Sequence, residues 1–157
     1  MRTTPGALIV GALLAVSSAV FATGAAPDPV IGSWTLNIAR STGAAVPKSD
    51  TRTYAAADGG IKLAMKRVTA EGKEVSAQTS YKYDGKDYPF TGSPDYDTVS
   101  AKRIAANTVE ITQKLGGKVV GKTMRTISRD GKTLTLVIRS TNAKGQVVSS
   151  TLVFDRK

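Results

Sequence analysis

The stretch Val75-Ser76-Ala77-Gln78-Thr79-Ser80-Tyr81-Lys82-Tyr83, followed at once by Asp84-Gly85-Lys86, decides the fold. Val75, Ala77, Thr79, Tyr81 and Tyr83 alternate with Ser76, Gln78, Ser80 and Lys82. A period of two marks a strand with one face in a core, because successive strand side chains point to opposite faces. A helix would place its apolar residues three and four apart. The Asp-Gly that follows is a hairpin signal, since Gly takes the positive φ of a tight turn at no steric cost. The face carrying Val75, Ala77, Thr79, Tyr81 and Tyr83 is expected to point inward, and a one-residue slip would turn it outward.

The same unit repeats along the chain. Turn signals stand at Asp58-Gly59-Gly60, Glu71-Gly72-Lys73, Asp84-Gly85-Lys86, Ala106-Asn107, Gly116-Gly117-Lys118, Asp130-Gly131-Lys132 and Ala143-Lys144-Gly145. With centres at 59, 72, 85, 106, 117, 131 and 144, every gap but one is 11 to 14 residues. That spacing fits a strand of about 8–10 residues plus a tight turn. The long gap of 21 holds a short segment, 86–90, and the loop Thr91-Gly92-Ser93-Pro94-Asp95. Pro89 marks that segment as an edge or irregular strand. Ile61, Leu63 and Met65 alternate with Lys62 and Lys66, and Leu134, Leu136 and Ile138 with Thr133, Thr135 and Arg139. Val148, Ser150, Leu152 and Phe154 share a face of the last strand. The expected fold is all-β: one antiparallel up-and-down barrel of about eight to ten strands, without a helical lid.

Arg2 precedes an apolar run over 7–22, too short for a span of about 20 apolar residues. A basic start, a short apolar core and small residues at its end read as a cleaved export signal. The expected organisation is a signal peptide over 1–22 with cleavage between 22 and 25, a flexible segment over 23–31, and a barrel over 32–157. The protein is expected in the periplasm or outside the cell. It has no Cys, so core and ladder carry its stability without disulfides. Basic residues number 22 against 12 acidic ones, and loss of the leader removes only Arg2. Such a surplus points to anionic partners, although the lysines are spread over turns and strand faces, where they also protect sheet edges.

Gly116-Gly117-Lys118-Val119-Val120-Gly121-Lys122-Thr123 satisfies the phosphate-loop pattern G-x-x-x-x-G-K-[ST]. That chemistry needs a helix after the loop. Met124-Arg125-Thr126-Ile127-Ser128 instead reads as strand, so a hairpin at Gly116-Gly117 and a bulge at Gly121 are expected, and no nucleotide. The chain has no His and no Cys, which removes imidazole-dependent triads, thiol nucleophiles and the preferred zinc ligands. Asp84, Asp87, Asp95 and Asp97 crowd one region, but they follow no calcium-loop pattern, and Asp in turns caps its own backbone. No enzyme activity, cofactor, metal or nucleic-acid partner is expected.

Gly32-Ser33-Trp34 resembles the Gly-x-Trp motif that opens the first strand of lipocalins and fatty-acid-binding proteins, the calycins. The resemblance implies a barrel of eight or ten strands that carries a small hydrophobic ligand, and a late arginine, here Arg156, stacked on Trp34. The chain departs from fatty-acid-binding proteins in two places. The linker over 41–49 has no room for their paired lid helices. Leu152 and Phe154 stand where their last strand has Arg-x-Tyr. A closer likeness, carried by Tyr83-Asp84-Gly85-Lys86-Asp87-Tyr88-Pro89, Asp97-Thr98-Val99 and Lys102-Arg103-Ile104, is to a group of secreted bacterial proteins of unknown function.

Tyr81, Tyr83, Tyr88, Phe90 and Tyr96 fall close together, and a tyrosine joins an apolar ring to a polar tip. The expected function is an exported, monomeric binding protein with a small apolar or amphipathic ligand inside the barrel. Its lining is expected from Met65, Tyr81, Tyr83, Tyr88, Met124 and Leu136. The alternative is an envelope-associated interaction or inhibitor module with a filled barrel, which meets an anionic envelope component through its basic outer surface.

Overall fold

The computed structural model describes residues 25–157; the leader 1–22 lies outside the described residues. The strands in chain order are β1 (Gly32–Leu36), β2 (Thr42–Gly43), β3 (Ser49–Ala57), β4 (Gly60–Val68), β5 (Glu74–Tyr81), β6 (Asp84–Thr91), β7 (Thr98–Ala105), β8 (Thr108–Leu115), β9 (Lys118–Ile127), β10 (Thr133–Thr141) and β11 (Val147–Arg156). Strands β3 to β11 follow one another around the sheet, and β1 pairs with both β3 and β11. The barrel is therefore closed and antiparallel, and closure leaves no free edge.

Strand β2 is not an extra stave. Leu36 faces Phe154 and Thr42 faces Thr151, so five residues on one side meet two on the other. The surplus is taken up by a 3-10 turn, Ile38–Arg40, capped by Asn37. Strands β1 and β2 thus share one position along β11, and the barrel has ten staves. Ser41 repairs the interruption: its hydroxyl donates to Asn37 O at 2.8 Å and accepts from Val153 N at 3.0 Å.

The alternation read from the sequence sets the core. Val75, Ala77, Thr79 and Tyr81 are buried, and their neighbours Ser76, Gln78 and Ser80 are exposed. Trp34, Tyr54, Leu63, Val109, Leu134, Leu136, Leu152 and Phe154 meet them from other staves. Each fully buried Leu or Phe contributes about 1.5–3 kcal/mol. The turn after β5 falls earlier than expected: the strand ends at Tyr81, and Asp84-Gly85 lies inside β6. Gly85 keeps a φ of 73°, but it serves a bulge against β7 between Asp84 and Asp87. The β5–β6 ladder is reduced to the pairs Gln78↔Thr91 and Thr79↔Phe90.

The chain enters β1 at what we call the near end. Residues 28–31, expected within a flexible segment, are tied down there. Val30 is buried, its carbonyl accepts from Trp34 Nε1 at 2.8 Å, and Asp28 forms an ion pair with Arg103. Arg156 stacks 4.2 Å from the Trp34 ring centre and donates to Pro29 O, Ile31 O and Gly131 O. The stack implied by the calycin resemblance is present. The far end carries the turns over 69–73, 92–97, 116–117 and 142–146, with Val46 and Tyr96 packed onto the core.

Candidate functional site

The structure divides the expected lining residues. Met65, Tyr81 and Leu136 are buried in the core, and Tyr83 and Tyr88 pack against its edge. Tyr88 turns its hydroxyl to Asp84 at 2.7 Å. Met124 is on the other face: Gly121, Thr123, Arg125 and Ile127 are the buried residues of β9, and Met124 between them faces outward. It pairs with Val137 on β10, whose outward side chain is exposed.

The interior is occupied by side chains. A void wide enough for a ligand would leave accessible area on the residues around it. Trp34, Leu134, Leu136, Leu152 and Phe154 keep at most 2% of theirs. Ala77 and Thr79, small residues on the inward face of β5, are also buried. Two troughs of about 400 and 380 Å³ do occur, but outside. The first crosses β3, β4 and β5 over Thr51, Thr53, Lys66, Ser76 and Gln78; the second continues past Lys62, Ser80 and Pro89.

The interior also holds two charged clusters. Toward the near end, Arg125 is 2% exposed and donates to Tyr81 Oη at 2.7 Å and Tyr83 Oη at 2.6 Å. Its guanidinium lies 5.4 Å from the Tyr54 ring centre. No carboxylate among the described residues forms an ion pair with it. Burial pushes the Tyr83 hydroxyl up to about 12 against the pull of Arg125, and pushes Tyr81 up as well. Burial alone would raise the Asp28 carboxyl. The Val30 amide, the Tyr83 hydroxyl, Arg103 and Arg125 outweigh it and hold that carboxyl below its ordinary value.

Toward the far end, Asp50 lies fully buried between Arg52 and Arg67, 2.9 Å from each. Arg52 also lies over the Phe154 ring at 5.0 Å. Burial opposes the charge on Arg52, and Asp50 overcomes it. Neither cluster was singled out from the sequence. The signal was parity: Arg125 shares a face with Ile127, and Asp50 and Arg52 share one with Tyr54.

The other motifs resolve locally. Gly116 and Gly117 form a turn with φ of 55° and 80°, and Lys122 sits exposed on β9 beside Glu110. The bulge expected at Gly121 falls beside it: Gln113 pairs with Gly121 and Lys114 with Val119, leaving Val120 as the extra residue. Asp84 accepts from Lys86 N, Asp87 pairs with Lys114, and Asp97 accepts from Gly116 N. Among the described residues no group of His, Cys, Asp and Glu could hold a metal ion, and no helix is long and apolar enough to cross a membrane.

No protein-family model matches the chain, and no curated protein matches it in sequence. Among solved structures it is similar to a redesigned β-barrel, mFAP1, described bound to DFHBI. That similarity has 10% identity and a TM-score of 0.45, over 82% of this chain and 95% of the other.

Proposed function

We propose that this is a non-catalytic binding module of the cell envelope. It would work through the outside of its barrel and meet an anionic envelope component. The observation that carries this reading is the filled interior. A carrier needs an internal void, and here the inward face is taken by Trp34, Arg125, Phe154 and the leucines around them. What remains for recognition is the outer wall and the two barrel ends. Lys62 and Lys66 line the outer troughs, and no acidic residue joins them there. The basic surplus of the whole chain acts in the same direction, since it raises the local concentration of anions. Export of the chain behind the 1–22 leader is part of the proposal, as is the absence of catalysis in a chain without His or Cys.

The test is retention on dextran sulfate at increasing salt, with the chain that starts at Thr23. Retention at low ionic strength that falls steeply with salt is expected, because exposed charges are screened within about 8 Å at physiological ionic strength. Passage through the column unretained would overturn the reading.

A further inference from the structure

The far end of the barrel is more apolar at its tips than a free end needs to be. The β8–β9 turn presents Leu115 and Val119, 45% and 57% exposed, and the β10–β11 turn leads into Val147, 74% exposed. Three of the six exposed large hydrophobics of the described chain therefore stand on these two tips. The tips are neighbours, because β9 and β10 pair directly. Lys118 and Lys144 lie on the same turns, exposed and outside any ion pair among the described residues. The nearest turn carboxylate, Asp97, is engaged by the Gly116 amide and the Thr98 hydroxyl. A side chain added at Gly116 or Gly117 would meet open space, as on a turn that projects from the barrel.

Aliphatic side chains at a tip with unpaired lysines beside them suit one kind of surface, an anionic lipid bilayer. The valines and leucine would enter the boundary between headgroups and acyl chains, and the lysines would stay at the level of the lipid phosphates. We propose that the protein docks end-on to an anionic lipid surface through the β8–β9 and β10–β11 tips. This rests on the reading that the outside of the barrel meets an anionic envelope component, and it names that component as lipid. The outer troughs, on the wall of the barrel, would then stay clear of the bilayer.

The experiment is co-sedimentation of the chain from Thr23 with vesicles. The apolar stretch 7–22 is left off because it would bind lipid by itself, and the closed barrel is complete within residues 25–157. Vesicles of equal parts phosphatidylcholine and phosphatidylglycerol are compared with pure phosphatidylcholine. Binding to the mixed vesicles alone is expected. Lys118→Gln with Lys144→Gln should weaken it about 30-fold, since each lysine near such a surface is worth about fivefold. Val119→Ser with Val147→Ser should weaken it at least about tenfold, because the apolar anchor is lost. All four positions are exposed, so unchanged melting is expected and is checked for each variant. Lys82→Gln with Lys132→Gln, exposed on the turns of the near end, should change little. Absence of binding to mixed vesicles, equal binding to both vesicle types, or binding that falls with the near-end pair and not with the tip pairs would each overturn the proposal. Retention on dextran sulfate decides the broader reading separately.

Discussion

Arg125 brings a full positive charge into the barrel, and its inward position follows from parity on β9. Its partners do not follow from any local pattern. Tyr81 is 44 residues away in sequence and Tyr83 is 42, and closure of the barrel alone brings them together. Hydropathy also misplaces Met124, because an apolar side chain beside a charged one looks like the core residue. On β9 the charged residue is the inward one, since tyrosine hydroxyls stand ready to receive it. Hydrogen bonds to charged groups are worth about 1.5–3 kcal/mol, so Tyr83→Phe should destabilise the protein within that range. The substitution should also change the response to alkali. A tyrosine whose hydroxyl is held at about 12 when folded and 10.0 when unfolded binds more protons folded between those values. Stability is then full below pH 10.0 and falls as pH rises toward 12. Urea melts of the parent should steepen their loss of stability in that window, and Tyr83→Phe should flatten it. Identical slopes in the two proteins would show that Tyr83 ionises as freely folded as unfolded.

Strands were the most legible level, because each alternating run carries its own signature. The turn at 82–83 was not, since Asp84-Gly85 gives the same local signal for a hairpin and for a glycine bulge. The bulge wins because β6 must pair with β7, where Asp84 faces Lys102 and Asp87 faces Ser100. The cost falls on the other side of β6. Two residue pairs join it to β5, whereas β10 and β11 are paired at nine successive positions from Thr133↔Asp155 to Thr141↔Val147. A ladder so short leaves the 80–88 stretch with fewer backbone bonds to break before it opens. Hydrogen exchange should therefore be faster over 80–88 than over 133–141, because exchange follows local opening free energies. Equal protection of the two stretches would mean that the seam is held by more than its ladder. The 3-10 turn between β1 and β2 escaped the sequence reading for a related reason. Ile38-Ala39-Arg40 has no turn dipeptide, and its cap, Asn37, gains Asp155 as a partner only when β11 arrives.

At the scale of the whole molecule, the barrel was legible and its contents were not. Regular turns imply many antiparallel strands, and many twisted strands imply closure. Whether ten staves enclose a ligand or one another's side chains depends on volumes summed over all of them, which no single strand announces. Ala77 puts the difference to a test. It faces Met65 across β4–β5 and is 5% exposed. In a carrier, a large side chain at this place would fill the void, block an apolar probe and leave the fold intact. In a filled barrel there is no void for it. Overpacking a core typically costs about 1–3 kcal/mol, and an indole in place of a methyl stands at the upper end. Ala77→Trp should then lower the melting temperature by several degrees. The parent should show no saturable binding of a probe such as 1-anilinonaphthalene-8-sulfonate under native conditions. The variant, loosened at its core, should bind the probe more than the parent does. A parent that binds it one-to-one and an Ala77→Trp protein that melts unchanged but no longer binds would place a ligand inside the barrel after all. The buried guanidinium of Arg125, with two hydroxyls and no carboxylate among the described residues paired to it, would then be the first group to examine in that ligand's site.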